Sequence, residues 1–243
     1  MAARARRRAR GCRPCGRAAA AAWFAAAWLV AVCACGAQSR SPETARGSAG
    51  PLQGIVERDW AWRLAEFPQL ASRVGIREAD DRLDHVDGAA RARQLAHWRS
   101  VAGELAALPV AQLPAEDRVT AEVLAEQVHE RIAEIEHKTY LMPLNADSSF
   151  YAGLADLPRR QTFRAQVDYE RYLAKLRDLP RFFDENLALM QEGLASGLTV
   201  PQIVLTGRDG AARVHGEVRD PTQSVFYAPF VRLPDSIPAA TAE

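Results

Sequence analysis

From Leu52 to Leu194 the apolar residues recur mostly at steps of three and four. That spacing lines one face of a helix and does not fit the alternation of a strand. Leu52, Ile55, Val56, Trp60, Leu64 and Phe67 make a first stripe, which ends before Pro68. Leu95, Trp98, Val101, Leu105 and Leu108 make a second, entered at Asp87-Gly88 and stopped by Pro109. Val119, Val123, Val128, Ile132 and Ile135 make a third. Pro114 stands at its first turn, with Glu116 and Asp117 suited to the helix dipole. Tyr169, Tyr172, Leu173, Leu176 and Leu179 make a fourth; Pro180 breaks the chain there. Phe183, Leu187, Met190 and Leu194 make a fifth, closed by Gly197. The spacing predicts helices over 53–66, 88–108, 115–137, 167–178 and 181–196. Val200–Thr206, confined to an edge by Pro201, and Thr139–Leu144 read as extended. The predicted fold class is all-α or nearly so, within one domain over residues 52–243.

The N-terminus is built differently. Seven arginines stand in the first seventeen residues, with no acidic residue before Glu43. Residues 18–34 form an apolar run, and seventeen residues are short of the ~20 that cross a bilayer. A basic start followed by such a run is the layout of a secretory signal, so residues 1–34 are assigned as a signal peptide. Val32-Cys33-Ala34-Cys35-Gly36 has the form of a lipobox, with an aliphatic residue three before Cys35 and a small one just before it. Cys35 is therefore the expected lipidation site, and the expected location is a membrane face in the periplasm. The alternative is cleavage near Ala37, which leaves a soluble periplasmic protein. Residues 35–51, rich in Gly, Ser, Pro and Ala, read as a flexible tether.

All four cysteines lie at or before position 35, so the helical body has neither a disulfide nor a thiolate metal site. Without the first seventeen residues, 24 basic groups face 30 acidic ones. A mildly acidic body argues against a nucleic-acid partner. No His-Glu-x-x-His is present among the five histidines. Glu126-x-x-His129 and Glu134-x-x-His137 copy the ligand unit of di-iron helix bundles. Both units lie on one helix about 12 Å apart, and a dinuclear centre spans only about 4 Å. Gly193-Leu-Ala-Ser196-Gly197 has one residue too many for a serine nucleophile elbow. No metal ligand and no catalytic residue is therefore assigned. The irregular stretch 139–166 is long for a connection inside a domain. Its polar groups Asn145, Asp147, Arg159 and Arg160 are the candidate substrate-binding residues, weighed against a turn-rich crossover that only caps helices.

Met142–Gly207 carries D-Y-x-x-Y-L at 168–173, L-P-x-x-F-D at 179–184 and E-G-L-A-x-G at 192–197. With Glu57–Phe67 and Ser224–Pro238, this stretch resembles the N-terminal part of the bacterial domain of unknown function 885 family. The resemblance implies a multi-helix portion of a larger exported protein, often a lipoprotein, with a zinc-metallopeptidase-like character. In that family the zinc-binding His-Glu-x-x-Pro-Gly-His segment comes later, beyond the position where this sequence ends at Glu243. Zinc is accordingly expected only in full-length relatives. The chain is read as a truncated front part, and the aromatic segment Val225–Val231 is expected to be stranded. A peptide substrate is the partner this reading implies. The alternative is a non-catalytic helical lipoprotein that binds a peptide or protein.

Overall fold

Side-chain caps and prolines set where the long helices begin. In the computed structural model α1 runs Pro51–Glu66, with its proline in the first turn after the extended Gly50. A short α2, Pro68–Arg73, follows after one residue. Asp87 accepts a hydrogen bond from the Ala90 N–H (2.7 Å) and so caps α3, Gly88–Ala106. Pro114 precedes α4, Ala115–Glu136, whose first turn holds Glu116 and Asp117. The four-residue α5, Leu157–Arg160, leads to α6, Gln166–Ser196. Asp168 starts α6 by accepting from the N–H groups of Arg164 (2.8 Å) and Ala165 (2.9 Å). Gly197, in the left-handed region (φ 76°), ends it. There the Leu198 N–H donates to Gly193 O at 2.9 Å, the closure of a Schellman turn. Two short helices, α7 (Gln202–Leu205) and α8 (Arg208–Gly216), come last, before short 3₁₀ turns at Pro221–Gln223 and Val225–Phe230. Residues 46–243 form one compact unit, of which the structure describes 50–144, 149–235 and 237. The signal peptide, Cys35 and most of the tether lie outside the described residues. Among the described residues there is no strand, only an isolated bridge between Leu144 and Ser149.

Two apolar cores organise the unit. The first joins α1, α3 and α4 through Leu52, Ile55, Trp98, Val101, Leu105, Ala121 and Val128. The second gathers Leu83, Leu154, Leu157, Tyr172 and Phe182, with Phe226 and Phe230 packed on it. The irregular stretch therefore covers the second core, anchored by Leu154 and Leu157. Between the ends of the chain, Arg77 donates to Asp168 (2.7 Å) and ties the loop after α2 to α6. Lys175 of α6 is 2% exposed and sits 3.8 Å from Asp80. Burial lowers its pKa, and Asp80, Asp81 and Asp84 oppose that shift.

Four sequence expectations are corrected. Pro180 does not break the chain: α6 runs through it unbroken from Gln166 to Ser196. Its ring faces solvent, and Arg181 beside it donates to Leu83 O (3.2 Å) and Asp84 O (3.4 Å). Tertiary anchors of this kind hold a helix that its local sequence would interrupt. Val200–Thr206 is not extended, since Pro201 precedes the helical turn α7. Thr139–Leu144 begins as a 3₁₀ turn over Thr139–Leu141. The fourth concerns two stripes, most of whose residues do face inward (Leu52, Ile55, Val56 and Phe67; Val128, Ile132 and Ile135) but some of whose members do not. Val119 (59%) and Val123 (52%) are exposed, while Ala121, Leu124, Val128, Ile132 and Ile135 face inward at steps of three and four. The five-residue step from Val123 to Val128 crosses the helix, and a small Ala121 lets α3 approach. On α1, Trp60 faces out, and the buried polar Asp59 takes the inward place.

Candidate functional site

Asp59 is tolerated in the core because its charge is matched. It accepts from Arg63 Nε, one turn on, at 2.7 Å and from His97 Nε2 of α3 at 2.9 Å. Trp62 stacks flat on His97, with centroids 3.6 Å apart and planes 8° apart. The cluster joins α1 to α3, and of its side chains only Arg63 reaches an open cleft.

The D-Y-x-x-Y-L motif lies on the first turns of α6, and two of its residues reach the C-terminal aromatic segment. Tyr172, fully buried, donates its hydroxyl to Phe226 O at 3.0 Å. Phe230 packs on Tyr169 (centroids 5.6 Å) and Tyr172 (6.0 Å), and Phe163 packs on the same two rings from another side. Burial pushes both phenols up from their ordinary range, so each stays a neutral hydroxyl. Burial also pushes Asp168 up, but the Arg164 and Ala165 N–H groups and the Arg77 guanidinium more than offset it. Its carboxyl ends below the usual range. The segment itself is shaped locally, with Ser224 Oγ accepting from the Phe226 N–H (3.3 Å). Phe226 and Phe230 are thus packed rather than stranded, while Val231 (74%) remains exposed.

Where α6 meets this segment a cleft of about 520 Å³ stays open. Tyr169, Leu173 and Leu176 form its helical wall, and Phe226, Tyr227 and Phe230 form the facing wall. Gln166, Glu170 and Ser224 supply the polar groups. An apolar trough with a few polar groups is the usual form of a ligand site. The spacing marks Tyr169, Leu173 and Leu176 as one helix face, and Phe226, Tyr227 and Phe230 stand out as an apolar segment, but neither reads as a cleft wall, because three aromatics on a 3₁₀ turn show no period that sets them against α6.

The other motifs are explained by packing. Leu179 and Phe183 of L-P-x-x-F-D join the second core. Gly193 of E-G-L-A-x-G sits where a Cβ would come within 2.8 Å of Leu198 O and 2.9 Å of Leu141 O. Arg159 and Arg160 are exposed at the end of α5 and pair with Asp156, at 3.6 and 3.4 Å. Neither lines the cleft. Asn145 and Asp147 lie outside the described residues. Glu126, His129, Glu134 and His137 lie on the exposed side of α4, with Glu134 held by Arg131 at 2.8 Å.

Among the described residues one group has metal-ligand geometry, His85, Asp87 and Glu185, with ligand atoms within 4.8 Å of one another. It does not fit zinc. Arg181 Nη1 already lies 2.7 Å from Glu185 Oε1 and 2.9 Å from His85 Nδ1. Asp87 caps α3, and Glu185 Oε2 accepts from the Val86 N–H at 2.8 Å. The guanidinium holds the place a cation would take.

An all-helical unit with an aromatic cleft at the start of its longest helix is the class defined by these features. The family described as bacterial protein of unknown function (DUF885) matches residues 68–243, and the chain belongs to it. No curated protein and no solved structure matches the chain.

Proposed function

We propose that this chain is the ligand-gripping helical part of an exported, lipid-anchored protein of zinc-metallopeptidase-like kind. Its aromatic cleft holds an extended peptide with apolar side chains. The observation that carries the reading is the cleft itself. Tyr169, Leu173 and Leu176 recur along one side of α6, opposite Phe226, Tyr227 and Phe230, and Gln166 and Glu170 are at hand for a peptide backbone. The peptidase-like relation is supported by the resemblance of Met142–Gly207 and its flanking motifs. Export and anchoring are supported by the arginine-rich start, the apolar run and Cys35. The described residues supply grip rather than bond cleavage.

The test is fluorescence anisotropy with a labelled, end-capped heptapeptide rich in Leu and Phe. Saturable binding that Leu173→Asp and Tyr227→Ala both weaken supports the cleft; binding indifferent to both refutes it. Mass spectrometry of the mature N-terminus tests the anchor separately. A diacylated Cys35 is expected, and an unmodified start at Gln38 or an intact Met1 overturns it.

A further inference from the structure

A second cleft, of about 580 Å³, opens where α1, α2, α3 and α4 meet and has a different chemistry. Four arginines from four helices line it: Arg63 of α1, Arg73 of α2, Arg91 of α3 and Arg131 of α4. Glu134 is the one carboxylate in the lining. Two of the four cations are matched, Arg63 by Asp59 and Arg131 by Glu134. The other two form no ion pair among the described residues. Arg73 has no hydrogen bond with a described residue either, and the carboxylate that feels its charge is Asp84, outside the lining. Among the described residues Arg91 reaches only the neutral Gln94 Oε1 (3.0 Å) and the face of Tyr140 (5.0 Å). Glu66, on α1, is taken by Arg93 and Gln94, and Asp84 accepts from the Gln69 N–H without lining the cleft. Two guanidinium nitrogens, Arg63 Nη2 and Arg91 Nε, are buried with no acceptor. Burial lowers the Arg91 pKa; Tyr140, Glu134, Asp84 and Asp87 oppose that shift without offsetting it. A half-buried guanidinium such as Arg91 is costly to leave without an anion, and the exposed Arg73 stands free at the rim to share one.

We propose that this cleft binds a small organic anion, with a carboxylate or phosphate held by Arg73 and Arg91 and an aromatic or apolar body against Trp60, Phe67 and Tyr140. Arginine forks match both oxyanions. The lining is fixed on helices, with Arg63 laid over the Trp98 ring at 4.7 Å as its floor. This site is separate from the aromatic cleft, and its test uses different ligands and different variants.

The experiment is isothermal titration of the full chain in detergent at low salt with phenylacetate, phenyl phosphate, inorganic phosphate and the neutral phenylacetamide. Saturable binding of phenylacetate or phenyl phosphate, with none of phenylacetamide, is expected. The tighter of the two anions identifies the oxyanion as carboxylate or phosphate. Arg73→Gln and Arg91→Gln should each weaken binding roughly tenfold or more, as loss of a charge-assisted hydrogen bond does. Arg73 is exposed, so its variant keeps the test valid if Arg91→Gln fails to fold. Arg159→Gln, far along the chain on α5, should change nothing. Absence of binding up to about 10 mM, where a site with a Kd near 1 mM would be nearly filled, overturns the proposal. Equal binding of phenylacetamide, or affinity unchanged in the Arg73→Gln and Arg91→Gln double variant, also overturns it.

Discussion

Single residues in this chain carry opposite consequences for the same chemical change. Gly103 and Gly193 both lie inside long helices, and each would become a better helix former as alanine. At Gly103 a Cβ meets nothing within 4 Å, so Gly103→Ala should stabilise by about 0.5–1 kcal/mol. At Gly193 the same Cβ meets two backbone oxygens inside contact distance. Backbone cannot turn aside as a flexible side chain can, so Gly193→Ala should cost about 1–3 kcal/mol despite the gain in propensity. Urea unfolding of the two variants checks both signs, and a stabilised Gly193→Ala would mean that α6 is not pressed against the Leu141 turn. Little of this could be read beforehand. Gly197 announced itself as a helix stop, since a glycine after a periodic run is a local signal. The closeness of Gly193 to Leu141, fifty positions earlier, is not local. Asp59 was invisible for the same reason, because its partner His97 comes from another helix.

At the scale of elements, the long helices were legible, the short ones were not, and helix facing was legible only in part. The periodic runs and caps placed α1, α3 and α4 within a residue or two of their observed bounds. Periodicity fails to choose a face where alanines do the close packing, as on α4, or where a paired charge takes a core place, as on α1. It fails again at Pro180, because the anchors that hold α6 together come from residues 83–86. Those anchors make a pH prediction. Arg181 holds the Asp178 carboxyl low against the opposing effect of burial, helped by the Leu83 N–H. Burial raises Glu185, but the Val86 N–H, Arg181 and His85 outweigh it, so it too ends low. Asp168 behaves likewise at the start of α6. A carboxyl whose folded pKa lies below its ordinary value, 3.8 for Asp and 4.5 for Glu, stabilises fully above that value. The stability is lost as pH falls through the folded pKa. Asp84 runs the other way: burial raises it, so its contribution stands below 3.8 and is lost as pH rises. Asp220, which Thr222 holds low, adds a fourth lowered carboxyl. With four groups against one, thermal stability should fall steadily as the pH drops below about 4.5. Arg181→Gln should lower stability at neutral pH and flatten that acid slope. A Tm that does not change between pH 6 and about pH 3 would remove these anchors from the account.

Over the whole molecule, the two cores leave apolar surface uncovered among the described residues beyond the aromatic cleft, and in a place the sequence did not suggest. A chain read as a front part was expected to strand its last aromatics, yet Phe226 and Phe230 fold back on Tyr169 and Tyr172. The uncovered surface lies instead at the far end of α6. Leu187 (47%), Leu194 (73%) and Leu205 (39%) are exposed there, around a shallow apolar hollow of about 330 Å³ that also includes Met142 and Leu198. Contiguous exposed apolar surface binds hydrophobic dyes, whereas single exposed residues do not. The full chain in its folded state should therefore bind bis-ANS. The charged pair Leu194→Glu and Leu205→Glu should remove the part of that signal that the hollow contributes, leaving the part that the aromatic cleft takes up. Leu194 already faces solvent, while Leu205 is more than half covered, so the pair should shift unfolding by about 1–2 kcal/mol, most of it from Leu205. Val231→Glu, at the end of the aromatic segment, should leave the dye signal unchanged. If Val231→Glu abolishes the signal and the leucine pair does not, the aromatic segment is detached in solution. The cleft between α6 and Phe226–Phe230 would then lose its second wall.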